Sequence, residues 1–233
     1  MDLTLPETYL EGAVLFIDKP LNWTSFDVVN KIRKSLRQQL GIRKIKVGHA
    51  GTLDPLATGL VIICTGGATK KISQYQDLEK VYRARITLGA TTPSFDLETE
   101  VDHLYSWEHI TGPMVEKAME GFTGEQDQLP PLYSAKSVEG KRAYESARKG
   151  ETLELKPHRI NISRLDLLEF EPPHLSVCVE CSKGTYIRAL ARDLGKALGS
   201  GAHLTGLRRT RIGPYHVEDS ISLENFLNKL KLL

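Results

Sequence analysis

Apolar residues along the chain follow two spacings, and the places where the spacing changes mark out the elements. The run Ala13-Val14-Leu15-Phe16-Ile17 ends at Asp18-Lys19-Pro20 and predicts a strand entering a turn. Beyond it Val28, Val29, Ile32, Leu36 and Leu40 recur at helical spacing, with Thr24 or Ser25 as N-cap and Gly41 where a C-terminal glycine belongs. Leu60-Val61-Ile62-Ile63-Cys64 predicts a buried strand stopped by Gly66-Gly67, and Val81 to Leu88 alternates with Tyr82, Ala84, Ile86 and Leu88 on one apolar face. Pro113 opens a helix with Val115, Ala118, Met119 and Phe122 inward, and Leu129-Pro130-Pro131 breaks the pattern. The polar, Lys/Arg-containing stretch near 130–155 is expected to be an insertion. Strands fit Arg159 to Leu168 and Leu175 to Ser182; a helix with Ile187, Leu190, Ala191, Leu194 and Leu198 on one face follows, and Ser222 to Leu232 reads as a closing helix. Interspersed strands and helices without regular βαβ alternation predict an α+β domain with a mixed sheet.

Composition narrows the class. The 233 residues are 40% hydrophobic and 26% charged, with no apolar run near the length of a membrane span, so a globular protein of one large domain, or of one domain with a small appendage, is expected. The N-terminus carries Asp2 and Glu7 and no basic run, so it does not read as a targeting signal and a cytoplasmic location is expected. Three cysteines, an odd count, argue against a disulfide framework. Cys178 and Cys181 have a metal-like spacing, but strand alternation puts their sulfurs on opposite faces and no second Cys/His pair completes a site. No metal is expected.

A net charge of +2 says little until its distribution is examined. Residues 31–46 hold seven Lys/Arg (Lys31, Arg33, Lys34, Arg37, Arg43, Lys44, Lys46) and no acid, and Arg208, Arg209 and Arg211 form a second basic cluster. Ser94 to Asp127 holds nine acids and one lysine. Segregation of this kind lets a nearly neutral protein show a basic face to a polyanion, although each run taken alone is equally consistent with solvated surface.

One stretch has the composition of a site. Gly51-Thr52-Leu53-Asp54-Pro55-Leu56-Ala57-Thr58-Gly59 sets one aspartate among glycines that admit a substrate backbone, and Pro55 biases Asp54 away from the helical region. Turn chemistry alone makes such an acid more often a loop former than a catalyst. A phosphotransferase reading of Asp54-x-x-x-Thr58 lacks the strand directly before the acid and the further metal-binding acids such enzymes need. Gly66-Gly67-Ala68-Thr69-Lys70 lacks the Gly-Lys-Ser/Thr order of a phosphate loop.

The order of residues from Gly48 to Gly59, Gly-His-x-Gly-Thr-Leu-Asp-Pro-x-Ala-x-Gly, resembles the signature of the TruB family of tRNA pseudouridine synthases. The resemblance continues in Gly12 to Pro20, in Tyr82 with Leu88-Gly89, in Leu129 to Lys136, in Cys181 to Arg188 and in Gly201 to Arg209. It implies a mixed, largely antiparallel central sheet flanked by helices, in a single catalytic domain over 1–233 without the C-terminal RNA-binding domain common in the family. It implies isomerisation of uridine to pseudouridine at position 55 of the tRNA T-loop, without cofactor or metal. The T-arm of tRNA is the implied partner; no membrane and no obligate protein partner is expected, and a monomer suffices. Carried onto this chain, the family pattern makes Asp54 the essential carboxylate, Arg188 its ion-pair partner and Tyr82 the ring that stacks on the target base. His49, Tyr186 and Leu207 line the RNA pocket, Arg208 and Arg209 join the substrate-binding set, and Lys19 and Pro20 brace the loop of Asp54. After Gly89 many relatives have Thr-Asp-Thr-x-Asp-x-x-Gly, whereas only Thr92 and Asp96 match here, which bears on how RNA docks.

Residue chemistry agrees with these roles without supplying them. Pseudouridylation breaks the bond from N1 to C1′, turns the uracil and joins C5 to C1′, and a carboxylate serves such a reaction as nucleophile or base. A guanidinium favours the ionised acid, and an aromatic face receives a base that has left its stack. By periodicity alone Tyr82 is a core residue, and Arg188, beside the apolar face of its helix, is as readily a surface arginine as one whose head reaches inward. A binding module that kept this fold and lost the reaction is the competing reading; the intact set of Asp54, Tyr82 and Arg188 speaks against it.

Overall fold

The structure, a computed structural model, describes residues 6–133, 137–138, 141–142 and 155–231. The chain forms two compact units: the first holds the residues up to Tyr82 together with those from Arg208 onward, the second holds Arg83–Leu207. The first begins with α1 (Pro6–Glu11), β1 (Val14–Lys19), α2 (Ser25–Gln39), β2 (Val47–Ala50), β3 (Ala57–Thr65), a 3-10 turn (Gly66–Lys71) and α3 (Ile72–Asp77). β4 (Lys80–Leu88) leads into the second unit, which continues with β5 (Ala90–Thr91), β6 (His103–Leu104), α4 (Gly112–Glu120) and β7 (Gly124–Gln128). After β8 (Ser137–Val138) and β9 (Lys141–Arg142) come β10 (His158–Glu171), β11 (His174–Cys181) and α5 (Ile187–Ala197). β12 (Ala202–Ile212) returns to the first unit, which β13 (Tyr215–His216), β14 (Ile221–Ser222) and α6 (Leu223–Leu230) complete.

Both units are built on mixed, largely antiparallel strands with helices packed on them. In the first, strand order is β14-β1-β3-β12-β4, with β1 parallel to β14 and antiparallel to β3, and with β2 on β3. In the second it is β12-β4-β11-β10-β7, β10 being antiparallel to both neighbours. The strand β3 is buried on both faces, and Leu60, Ile62 and Cys64 join Ala50, Ala68, Ile212 and Val217 in one core. Phe16 and Tyr215 stack at its edge with ring centres 4.7 Å apart.

Helix α2 shows how local chemistry feeds the site. Thr24, not Ser25, is the N-cap: its hydroxyl accepts from the Asp27 amide (3.0 Å) and the Asp27 carboxylate accepts from the Thr24 amide (2.9 Å). Donation to the Asp27 carboxylate by the Thr24 hydroxyl (2.6 Å), and then by the Thr24 amide, holds that carboxyl below the usual carboxylate range. Ser25 is thereby free to turn inward, toward the loop of Asp54.

The alternation expected for β4 and β11 is present, with Arg83 and Arg85 outward between Tyr82, Ala84 and Ile86. Cys178 is half-buried and Cys181 buried on β11, and among the described residues no three His, Cys, Asp or Glu side chains gather as a metal site. Also among the described residues, no helix is long and apolar enough to cross a membrane. Of the stretch near 130–155 expected to be an insertion, residues 134–136, 139–140 and 143–154 lie outside the described residues; β8 and β9 pair antiparallel between them.

Candidate active site

Asp54 lies in the link from β2 to β3, and its neighbours in sequence are fixed one after another. The Leu53 amide donates to Ser25 Oγ (2.8 Å). The Pro55 carbonyl accepts from the Asn22 amide (2.9 Å) and from Lys19 Nζ (3.3 Å). A turn closes where the Ala57 amide donates to the Asp54 carbonyl (3.1 Å). From β12, the Arg209 guanidinium donates to the carbonyls of Gly51 (3.1 Å), Thr52 (3.4 Å) and Leu60 (2.8 Å). The half-buried Asp54 carboxylate therefore rides on main chain held from both sides, the condition for a side chain that must meet one atom of a substrate. Gly59 belongs to the same clamp: its φ is +107°, and a Cβ there would stand 2.2 Å from the Arg209 carbonyl oxygen.

Arg209, expected to join the substrate-binding set, is 1% exposed, and its guanidinium donates to these three carbonyls and braces the loop. His203, the other buried basic residue of β12, turns Nδ1 to the Ala90 carbonyl (3.1 Å). Arg208 points the other way along the strand and donates to both Asp18 oxygens (2.8 and 3.1 Å), half-exposed.

Lys19 is fully buried, and its ammonium donates to the carbonyls of Pro20, Trp23 and Pro55. Burial lowers its pKa to about 8, against the opposing pull of the Asp54 carboxylate. The folded value lies below the ordinary 10.5, so between about 8 and 10.5 the unfolded chain holds the proton that the folded chain has released. From this group, stability rises with pH across that window. Activity is expected to move the opposite way, falling as the ammonium beside Asp54 is lost above about pH 8. A kcat profile set beside unfolding midpoints at each pH checks this, and Lys19→Met should lack the alkaline limb; a limb unchanged in that variant would assign it to another group.

Tyr82 is buried on the inward face of β4 in the same unit. His49 lies half-buried in β2, and burial holds its imidazole below the usual range, with the Arg209 charge adding to the shift. Its Nδ1 is enclosed and unbonded among the described residues.

In the second unit, Arg188 opens α5 at 3% exposure. Its Nε lies 3.6 Å from Asp96 Oδ2, and its other nitrogens donate to the carbonyls of Ser94 (3.0 Å) and Tyr133 (2.8 Å). The divergent 92–99 segment holds itself: Thr92 Oγ1 donates to the Asp96 carbonyl (2.7 Å) and Ser94 bonds Thr99 twice. Asp96, which the sequence offered only as part of a docking loop, is thus a buried partner of Arg188. Tyr186 is the N-cap residue of α5, its main chain clasped by the Gln128 amide (2.8 and 3.1 Å) and its ring edge-on to His158. Leu207 is half-buried in β12.

Residues 37–187 match the family described as TruB family pseudouridylate synthase, N-terminal domain, and residues 188–232 match the tRNA pseudouridylate synthase B C-terminal domain. The chain belongs to the TruB family of pseudouridylate synthases. Within that family it is 60% identical over 218 residues to a protein of Phocaeicola vulgatus, covering 94% of this chain and 93% of that one. A Flavobacterium johnsoniae protein is 50% identical over 97% of this chain and 99% of its own length. Both carry the name tRNA pseudouridine synthase B. Among solved structures, a chain of a Cbf5-Nop10-Gar1 complex matches with TM-score 0.72 at 29% identity, and one of an H/ACA RNP bound to a substrate RNA containing 2′-deoxyuridine with 0.68 at 26%. Each match covers 96% of the TruB-family chain described here, which spans 56% of those solved chains.

Proposed function

We propose that the chain converts uridine to pseudouridine in tRNA, at position 55 of the T-loop, with Asp54 as the essential carboxylate. The observation that carries the reading is the immobilised main chain around Asp54: Ser25, Asn22, Lys19 and Arg209 each hold one segment of the loop. Relatives named for this reaction on tRNA match this chain over nearly its full length, which supports the substrate class.

The reaction is an isomerisation. The N1–C1′ bond breaks, a C5–C1′ bond forms, and the proton on C5 is balanced by one gained at N1, so no electron or outside group is consumed. Asp54 meets the need for an ionised oxygen, as nucleophile or as base toward C5. Tyr82 offers the aromatic face that a flipped uracil requires. Arg188 keeps the part the family resemblance gives it.

The test is chemical mapping of pseudouridine on an unmodified tRNA transcript incubated with purified protein. Conversion confined to T-loop position 55 is expected. No conversion, or conversion elsewhere, would overturn the assignment.

A further inference from the structure

A cavity of about 840 Å³ opens in the first unit between α2, the end of β1 and α6. It is of the size that holds a small ligand. Neither Asp54 nor Tyr82 lines it, although Lys19, Pro20 and Thr58 form one wall, so it stands beside the candidate active site and is distinct from it.

Its lining has three parts. Trp23, with Leu223 and Leu227, supplies an aromatic and apolar wall. Gln38, Gln39 and Asn228 supply amides. The charges do not cancel: Arg208 and Asp18 neutralise each other and the Lys19 ammonium is taken up by three main-chain carbonyls, which leaves Lys31 and Lys231 against Glu224. Glu224 and Lys231 occupy opposite ends of α6, roughly 10 Å apart at 1.5 Å per residue. Lys31 makes no hydrogen bond or ion pair among the described residues, and Lys231 only a 3.2 Å bond to Asn228.

An aromatic face flanked by amides and unneutralised ammonium groups suits a nucleotide: the base stacks, the amides meet its edge, and the cations take the phosphates. The cavity also opens onto the start of the acid-free basic run. Lys34 and Arg37 stand exposed farther along α2, a track of cations that a single free nucleotide would leave unused and a polynucleotide would follow.

We propose that this cavity binds one unstacked nucleotide of the RNA substrate other than the one that reacts, with its base against Trp23 and its phosphates on Lys31 and Lys231. The proposal rests on the reading of the chain as an RNA-modifying enzyme. It gives the chain a second hold on RNA, set apart from the reacting base.

Two measurements on the full chain test it. In a Trp107→Phe background Trp23 is the sole tryptophan, and titration with a uridine trinucleotide should quench its fluorescence. Lys31→Glu with Lys231→Glu, both exposed positions, should weaken binding of a tRNA transcript roughly tenfold. The slope of log affinity against log salt should fall by about 2, while the single-turnover rate of bound RNA stays unchanged. Unchanged affinity in the double variant overturns the proposal, as does quenching by the trinucleotide with no effect on tRNA binding. A reduced rate at unchanged affinity also overturns it, since the cavity then acts on the loop of Asp54 and not on RNA. None of the binding readouts needs pseudouridine, so a wild-type chain that binds tRNA and quenches normally but yields no product sinks the reaction and leaves the site.

Discussion

Asp54→Asn is expected to lower pseudouridine formation by about 10³-fold or more while tRNA still binds within a few-fold of the wild-type affinity. The two halves of this expectation rest on different observations. Asparagine matches aspartate in size, and the bonds from Ser25, Asn22 and Lys19 that hold the loop meet main-chain groups of Leu53 and Pro55. The Asp54 carbonyl, which the turn uses, is untouched by the substitution. Loop position and RNA affinity should therefore survive. What is removed is the negative charge and the lone pair that attacks or takes a proton, and neither has a replacement in an amide. The substitution also removes the first of the three carboxylate influences, from Asp54, Asp27 and Asp18, that keep the Lys19 pKa up, so Lys19 should titrate below about 8 in the variant. Single-turnover mapping of product together with an equilibrium Kd checks the expectation. A variant retaining a tenth or more of wild-type turnover would show that Asp54 positions the substrate and does not react with it.

How far the site could be read in advance depended on which force held each residue. α2 was legible because its apolar stripe, N-cap and glycine agree at every level, and only the choice between Thr24 and Ser25 needed coordinates. The strand β4 was legible from alternation alone. By contrast β12 escaped a periodicity reading, because a buried arginine and a buried histidine occupy inward positions where the pattern calls for apolar side chains. Arg209 and His203 look like surface charge in the sequence, and only the carbonyls they meet, more than a hundred residues away, show otherwise. Asp96 was hidden for the same reason: it lies in an acidic stretch that reads as solvated surface, and its burial depends on Arg188, 92 residues later. Even Asp54 owed its assignment to a family-specific order of residues; turn chemistry identified a stiff loop, and the coordinates then showed how many groups stiffen it.

Arg209→Met is expected to destabilise the chain by about 3–5 kcal/mol, whereas Arg208→Met, one residue earlier, should cost about 0–1 kcal/mol. Methionine keeps most of the buried stem, so the loss at position 209 is chiefly polar. The carbonyls of Gly51, Thr52 and Leu60 lose a charged donor in a place where Arg209 is 1% exposed, and each unsatisfied carbonyl costs about 1–3 kcal/mol before relaxation. Arg208 pairs with Asp18 at side-chain exposures of 41% and 32%, where solvent screens the attraction and refills both partners' hydrogen bonds. Adjacent residues of a strand face opposite ways, and that alone separates a brace from a surface pair. Urea midpoints at a common slope measure the contrast. Since a typical domain holds only about 5–15 kcal/mol, the Arg209 variant should lie close to the edge of folding at physiological temperature. The folded fraction should be slower as well, because Gly51 and Thr52 are freed ahead of Asp54, leaving only Ser25 on Leu53 and Asn22 and Lys19 on Pro55 to hold the loop. Equal midpoints for the two variants would mean that the three carbonyls find other donors, and that the loop of Asp54 draws its rigidity from the α2 side alone.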